Sequence, residues 1–167
     1  DQSIAGFACH SDYVFVLRSL TKSFAVPGLR VGYGIAGKSL ATKLNNARLT
    51  WNLSIVGEEL GVFFLENCAD YLERSRALIR KEQEFLFEQL SAITGLLPWR
   101  TSVNFILIDI SGTMLSSKEL ARQLLEHKII VRDCSSFKSL GNAYIRIAIR
   151  SRDENIRFIK ALRRILG

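Results

Sequence analysis

Apolar and polar positions alternate with two different periods along this chain, and the change of period marks its elements. The run Tyr13-Val14-Phe15-Val16-Leu17 predicts a buried strand over 13–20, and Val31 to Ala36 predicts a second short strand. Leu40, Leu44 and Ala47 recur at helical spacing and predict a helix over 39–49, broken at Trp51-Asn52-Leu53. From Ile55 to Ile93 the chain is nearly free of breakers, which predicts one long amphipathic helix or two in series. Its later stripe is Leu72, Ile79, Leu86, Leu90 and Ile93. Arg74, Arg80, Glu84 and Glu88 lie off that stripe, with Arg80 and Glu84 at pairing distance. Gly95 and Pro98 end the segment.

A compact lobe is predicted from about Thr101. Val103–Ile110 reads as a strand, and Ser116-Ser117-Lys118-Glu119 as a capping box opening a helix to about His127. Ile129–Val131 and Ala143–Arg150 read as further strands. Ser151-Arg152-Asp153-Glu154 is a second capping box, opening a last helix with the stripe Ile156, Ile159, Leu162 and Leu166. The implied order is β-α-β-β-α, so the fold class is α/β. In the 143–150 strand, Ile145, Ile147 and Ile149 face one way, and Tyr144, Arg146, Ala148 and Arg150 the other. Arg132 ends the preceding strand. Two arginines on adjacent strands suit either the capture of two anionic groups of one substrate or the solvation of a sheet edge.

The chemistry concentrates around Lys22. A strand delivers this amine among the hydroxyls of Ser19, Thr21 and Ser23, with Pro27-Gly28, Arg30 and Gly32 following. Ligands bind at strand C-terminal ends in open α/β sheets. Hydroxyls with an arginine suit a phosphate, and a lysine beside a phosphate pocket suits a Schiff base with a phosphorylated aldehyde. A solvated loop lysine is the plain alternative. A rival motif, Gly32-Tyr33-Gly34-Ile35-Ala36-Gly37-Lys38-Ser39, matches the P-loop pattern. However, only Leu29-Arg30-Val31 lies between Gly28 and Gly32, too short for the strand a P-loop requires.

Composition narrows the choice. The 167 residues are 48% hydrophobic, enough for a packed core, with no uncharged apolar stretch long enough to span a membrane. Asp1-Gln2-Ser3-Ile4 carries no basic signal-peptide region. Cys9, Cys68 and Cys134 form no metal-binding pattern, and free thiols in a reducing cytoplasm are expected. The charge of +7 comes from dispersed residues, which favours anionic small molecules over nucleic acid.

The string from Ser19 to Tyr33 resembles the cofactor-lysine segment S-x-[ST]-K-x-[FY]-x-x-P-G-L-R-x-G-[YF] of the fold-type I pyridoxal-phosphate enzymes, in the class I/II aminotransferase group, and matches at every fixed position. The resemblance implies that Lys22 carries pyridoxal 5'-phosphate and that Ser19, Thr21 and Arg30 hold the cofactor phosphate. It implies that Gly28 and Gly32 permit tight turns and that Pro27 fixes the backbone before them. Asp1-Gln2-Ser3-Ile4 partly matches the family's D-[EQ]-[AS]-[FY] motif, which makes Asp1 the acid opposite the pyridine nitrogen; Ile4 departs from it.

The run Val131 to Phe137, with Tyr144 to Arg150 and Glu154-Asn155, is similar to the branch containing the threonine-phosphate decarboxylases of cobalamin biosynthesis and the histidinol-phosphate aminotransferases. In that branch residues at the Arg132 and Arg146 positions bind the anionic substrate. Family subunits are longer, with the lysine past their middle. The expected organisation is therefore 1–54 as the end of a large cofactor domain, 55–97 as a linking helical segment and 98–167 as a small C-terminal domain. The family further implies a cytoplasmic homodimer acting on a phosphorylated amino acid, with no nucleic-acid or membrane partner. On this expectation the ring-stacking aromatic, an asparagine and a phosphate loop lie upstream. The chain alone then binds the cofactor weakly or is an inactive fragment.

Overall fold

The computed structural model describes residues 3–167, which fall into two compact units, one through Arg74 and the other Ser75–Gly167. Asp1 lies outside the described residues.

In the first unit a short helix α1 (Ala5–Ala8) precedes strand β1 (Val16–Ser19), the one-turn helix α2 (Leu20–Ser23), strand β2 (Gly32–Ile35), helix α3 (Lys38–Ala47) and helix α4 (Ile55–Asn67). β1 and β2 pair antiparallel, Val16 opposite Ile35 through Ser19 opposite Gly32. The strand predicted over 13–20 is therefore shorter, and its end coils into α2. The Ser19 hydroxyl causes this by accepting from the Thr21 amide at 3.4 Å and capping the turn. The run is also not buried: Phe15 and Leu17 are exposed, because a two-stranded ribbon covers only one face of each strand. Leu20, Phe24 and Val31 form the buried centre, with Phe64 stacked on Phe24 at 4.7 Å between ring centroids.

The long segment is two helices. α4 starts under a Ser54 cap and stops at Cys68, where φ −120° and ψ 31° leave the helical region; α5 (Ala69–Ser91) follows. β2 occupies the stretch that a P-loop would need as a phosphate cradle.

The second unit holds most of α5, then β3 (Leu97–Pro98), β4 (Phe105–Asp109), α6 (Ser117–Glu126), β5 (Arg132–Asp133), β6 (Tyr144–Ala148) and α7 (Arg152–Leu166). Its antiparallel sheet has the order β3-β4-β6-β5, and both edge strands are two residues long. Pro98, expected only as a breaker, pairs with Ile108 in one of them. The predicted strand over 129–131 is displaced to Arg132–Asp133. Lys128, at φ 58°, turns the chain after α6 so that pairing begins later. Both capping boxes form: the Glu119 carboxylate accepts from the Ser116 amide at 2.8 Å, and that of Glu154 from the Ser151 hydroxyl at 2.7 Å.

Leu86, Leu90, Ile106, Ile108, Ile145, Leu120, Leu124 and Leu162 form the fully buried core. The buried line of α7 is turned slightly from the predicted stripe, with Asn155 and Phe158 inside and Ile156 only partly covered. Glu84 pairs with Arg100 at 3.0 Å rather than with Arg80, and the Arg100 guanidinium also lies over the Phe87 ring. No helix among the described residues is long and apolar enough to cross a membrane.

Candidate active site

The β1–α2–β2 excursion gathers the residues expected around the cofactor. The Leu20 amide donates to the Val31 carbonyl at 3.2 Å, closing the two strand ends on each other. Ser19, Thr21, Lys22 and Arg30 therefore all emerge at one end of the ribbon. The Ser19 and Thr21 hydroxyls lie 2.8 Å apart, Thr21 buried and Ser19 exposed. Lys22 sits in the single turn of α2 with its side chain exposed. Arg30 is exposed and left-handed at φ 52°, and its guanidinium donates to the Pro27 carbonyl at 3.0 Å. A left-handed arginine costs about 1–2 kcal/mol relative to ordinary helical backbone. That cost turns the chain from the Pro27–Leu29 turn into β2.

The glycines do not do what the motif suggested. The left-handed positions in this stretch are Ala25, at φ 55°, and Arg30, and a side chain at Gly28 would meet open space. Gly32 is needed for closeness rather than for a turn: a Cβ there would stand 2.6 Å from the Arg18 carbonyl oxygen on the paired strand.

The second unit holds a separate cluster, around Arg132 and Arg146. Register places Arg132 directly opposite Arg146, so both side chains leave the sheet on the same face. Like charges opposed across a strand pair repel, and here each is steadied separately. The Arg146 guanidinium carbon lies 4.7 Å from the Phe105 ring centre, and that of Arg132 lies 5.5 Å from the Phe137 ring. Arg132 also donates to the Ser136 hydroxyl at 3.1 Å. Beside them Asp109 faces Tyr144 across the sheet. Burial raises the Asp109 carboxyl, but the Ser111 amide and hydroxyl and the Tyr144 hydroxyl outweigh that and leave it lowered; the same contact raises Tyr144. The Cys134 thiol is buried, and burial pushes it up against the opposing pull of Arg146 and Arg132. Among the described residues no group of three or more His, Cys, Asp or Glu could hold a metal.

Phe105, Ser136 and Phe137 escape sequence reasoning because their roles depend on strand register and loop closure. The pair Asp109 and Tyr144 carries a weak signal, each being the polar residue at one end of an alternating strand.

Residues 2–162 match the family model described as aminotransferase class I and II. The chain is 36% identical over 153 residues to a protein named for threonine-phosphate decarboxylase in Caldanaerobacter subterraneus subsp. tengcongensis, covering 91% of this chain and 41% of that protein. It is 30% identical over 166 residues to the histidinol-phosphate aminotransferase of Methanopyrus kandleri, covering 99% and 42%. The crystal structure of the histidinol-phosphate aminotransferase from Clostridium acetobutylicum superposes with a TM-score of 0.87 at 30% identity, over 98% of this chain and 48% of that one. The chain thus spans about two fifths of the length of the curated relatives it matches. The lysine segment, the fold and the matched span agree: this chain belongs to the aminotransferase class I and II family.

Proposed function

We propose that this chain forms the C-terminal part of a pyridoxal-phosphate-dependent decarboxylase of L-threonine O-3-phosphate, acting in cobalamin biosynthesis. The observation that carries the reading is the direct opposition of Arg132 and Arg146 on one sheet face. A phosphorylated amino acid presents two anions at once and so balances two opposed guanidinium groups. The second reading, a histidinol-phosphate aminotransferase, draws on the relatives of that name. Histidinol phosphate carries one anionic group, and that reaction needs a dicarboxylate as its second substrate. The run Arg132-Asp133-Cys134-Ser135-Ser136-Phe137 and the arginine at 150 favour the decarboxylase.

The residues fit the cofactor. The 2.8 Å hydroxyl pair of Ser19 and Thr21, with the Arg30 donors at the same end of the ribbon, suits a phosphate group, and the exposed Lys22 amine is free to meet an aldehyde. Asp1 is assigned to the pyridine nitrogen. When bound, the cofactor supplies an electron-poor ring that accepts the electron pair left at Cα as a bond to it breaks. Arg146 binds the carboxylate and sets the direction of the Cα–carboxylate bond. Arg132 binds the second anionic group and so fixes the substrate at its far end. Lys22 delivers a proton to Cα in place of the departed carboxylate; in the aminotransferase reading it removes the α-proton instead.

The test is a paired assay of the full-length enzyme. Threonine phosphate should release carbon dioxide and aminopropanol phosphate, and Lys22→Ala should abolish this. Histidinol phosphate with oxoglutarate should give no glutamate. Glutamate formation without carbon dioxide release establishes the aminotransferase, and neither activity rejects both.

A further inference from the structure

β5 is an edge strand of two residues, so the ladder pins only Arg132 and Asp133 before the chain leaves the sheet. Adjacent residues of a strand point to opposite faces. Arg132 therefore faces outward beside Arg146, while Asp133 points back toward α6. Its carboxylate is shared among serines rather than spent on the neighbouring arginine. Oδ1 accepts from the Ser117 hydroxyl at 2.6 Å and from the Ser135 amide at 2.9 Å, and Oδ2 accepts from the Ser135 hydroxyl at 2.9 Å. Ser117 is fully buried and is the first residue of α6, whose N-terminal end favours a negative charge. The loop beyond is closed by the Cys134 amide on the Tyr144 carbonyl at 3.1 Å and the Phe137 amide on the Cys134 carbonyl at 3.0 Å. Those contacts deliver Ser136 and Phe137 to the Arg132 guanidinium, one as a hydrogen-bond acceptor and one as a ring beneath it.

The geometry points to Asp133 as a positioning residue: by gathering Ser117 and Ser135 it fixes the 132–137 loop and aims Arg132 at the anionic group of the substrate. This inference rests on the functional reading above and adds a residue to it. A free arginine side chain carries about 2 kcal/mol of rotamer entropy. A loop that holds the guanidinium in place before the substrate arrives removes much of that cost from binding. The carboxylate's hydrogen bonds go to serines, so Arg132 acts on it through charge alone and keeps its donors for Ser136 and an anion.

The test separates aiming from charge. In the full-length enzyme, Asp133→Ala should raise KM for threonine phosphate about tenfold, the scale of one lost hydrogen-bonded contact, with kcat held within about twofold. Inhibition by inorganic phosphate, used as a simple anion probe, should weaken in parallel. Asp133→Asn should restore KM to within about threefold of the parent, since its carbonyl oxygen still accepts from Ser117 and the Ser135 amide. Should Asp133→Ala fail to fold by circular dichroism, Ser117→Ala removes one donor and should raise KM by about threefold. A well-folded Asp133→Ala, or Ser117→Ala where that variant stands in, with unchanged KM and phosphate inhibition overturns the inference alone. So does an Asp133→Asn as impaired as Asp133→Ala, because charge would then be the cause. A parent enzyme that neither turns over threonine phosphate nor is inhibited by phosphate overturns the functional reading and this inference together.

Discussion

Glu82 is a fully buried carboxylate on α5, and its removal tests how the second unit is held together. Its side chain is 2% exposed and faces Arg152 and Asn155 at the start of α7. Arg152 Nε donates to both oxygens at 3.0 and 3.1 Å, and Asn155 Nδ2 donates to Oε2 at 2.9 Å. The Arg152 guanidinium also lies 3.8 Å from the Phe85 ring centre. In Glu82→Gln one carbonyl oxygen remains to accept, while the new amide faces the donors of Arg152. Hydrogen bonds to a charged group contribute about 1.5–3 kcal/mol each, and breaking a buried pair costs about 3–5 kcal/mol. Arg152 is 41% exposed, so water recovers part of that loss, and Asn155 keeps its bond to the Arg150 carbonyl at 2.9 Å. We expect a net cost of about 2 kcal/mol at neutral pH.

The assay is urea unfolding followed by Trp99 fluorescence in a Trp51→Phe background, so that only the second unit reports. With a slope of about 1.5 kcal/mol per molar urea, the midpoint should fall by roughly 1.3 M. Burial raises the Glu82 carboxyl, but the hydrogen bonds and charge of Arg152 and the Asn155 amide outweigh it and hold it below its ordinary 4.5. A group with a lowered folded pKa stabilises above its unfolded value and loses that contribution as pH falls through the folded one. The gap between parent and variant should therefore be full at pH 6–7 and close below pH 4.5. A gap under about 0.5 kcal/mol at pH 7, or one that widens on acidification, would show that Glu82 does not hold α7 through its charge.

Two further outcomes follow from local geometry. Gly32→Ala should cost about 2 kcal/mol in thermal unfolding of the chain followed by circular dichroism, because a Cβ 2.6 Å from the Arg18 carbonyl forces β1 and β2 apart; an unchanged melting temperature contradicts it. The Glu154 carboxyl, held by Arg150 and then by Ser151, should titrate at about 2 in a carbon-detected NMR experiment, so its contribution to stability is present above pH 4.5 and fades toward pH 2; a midpoint above 4 would disprove those contacts.

Legibility in the sequence tracked the range of the interaction. The lysine segment and both capping boxes are local patterns, and the helix starts they predicted at Ser117 and Arg152 are where the chain turns helical. The face of Arg146 was readable because alternation within one strand is local too. The pairing of Arg132 with Arg146 needed register, which a left-handed Lys128 shifts by delaying the ladder. Glu82 and Asn155 are 73 residues apart, and no local period connects them. A trace was still present: Glu82, Leu86 and Leu90 stand four apart, so the carboxylate lies on the apolar stripe. A charge in that position needs a partner. The roles assigned to the glycines came from the motif, whereas the backbone takes its left-handed turns at Ala25 and Arg30.

The two outermost strands of the second sheet have a consequence for self-association. A long bare rim lets another molecule continue the ladder, which is how cross-β fibres grow. Here each rim offers two residues, and on one side Pro98 has no amide hydrogen to donate. The isoleucine-rich segments 105–109 and 144–148 pair with each other over their full length, so each is open to another chain only where its two-residue neighbour ends.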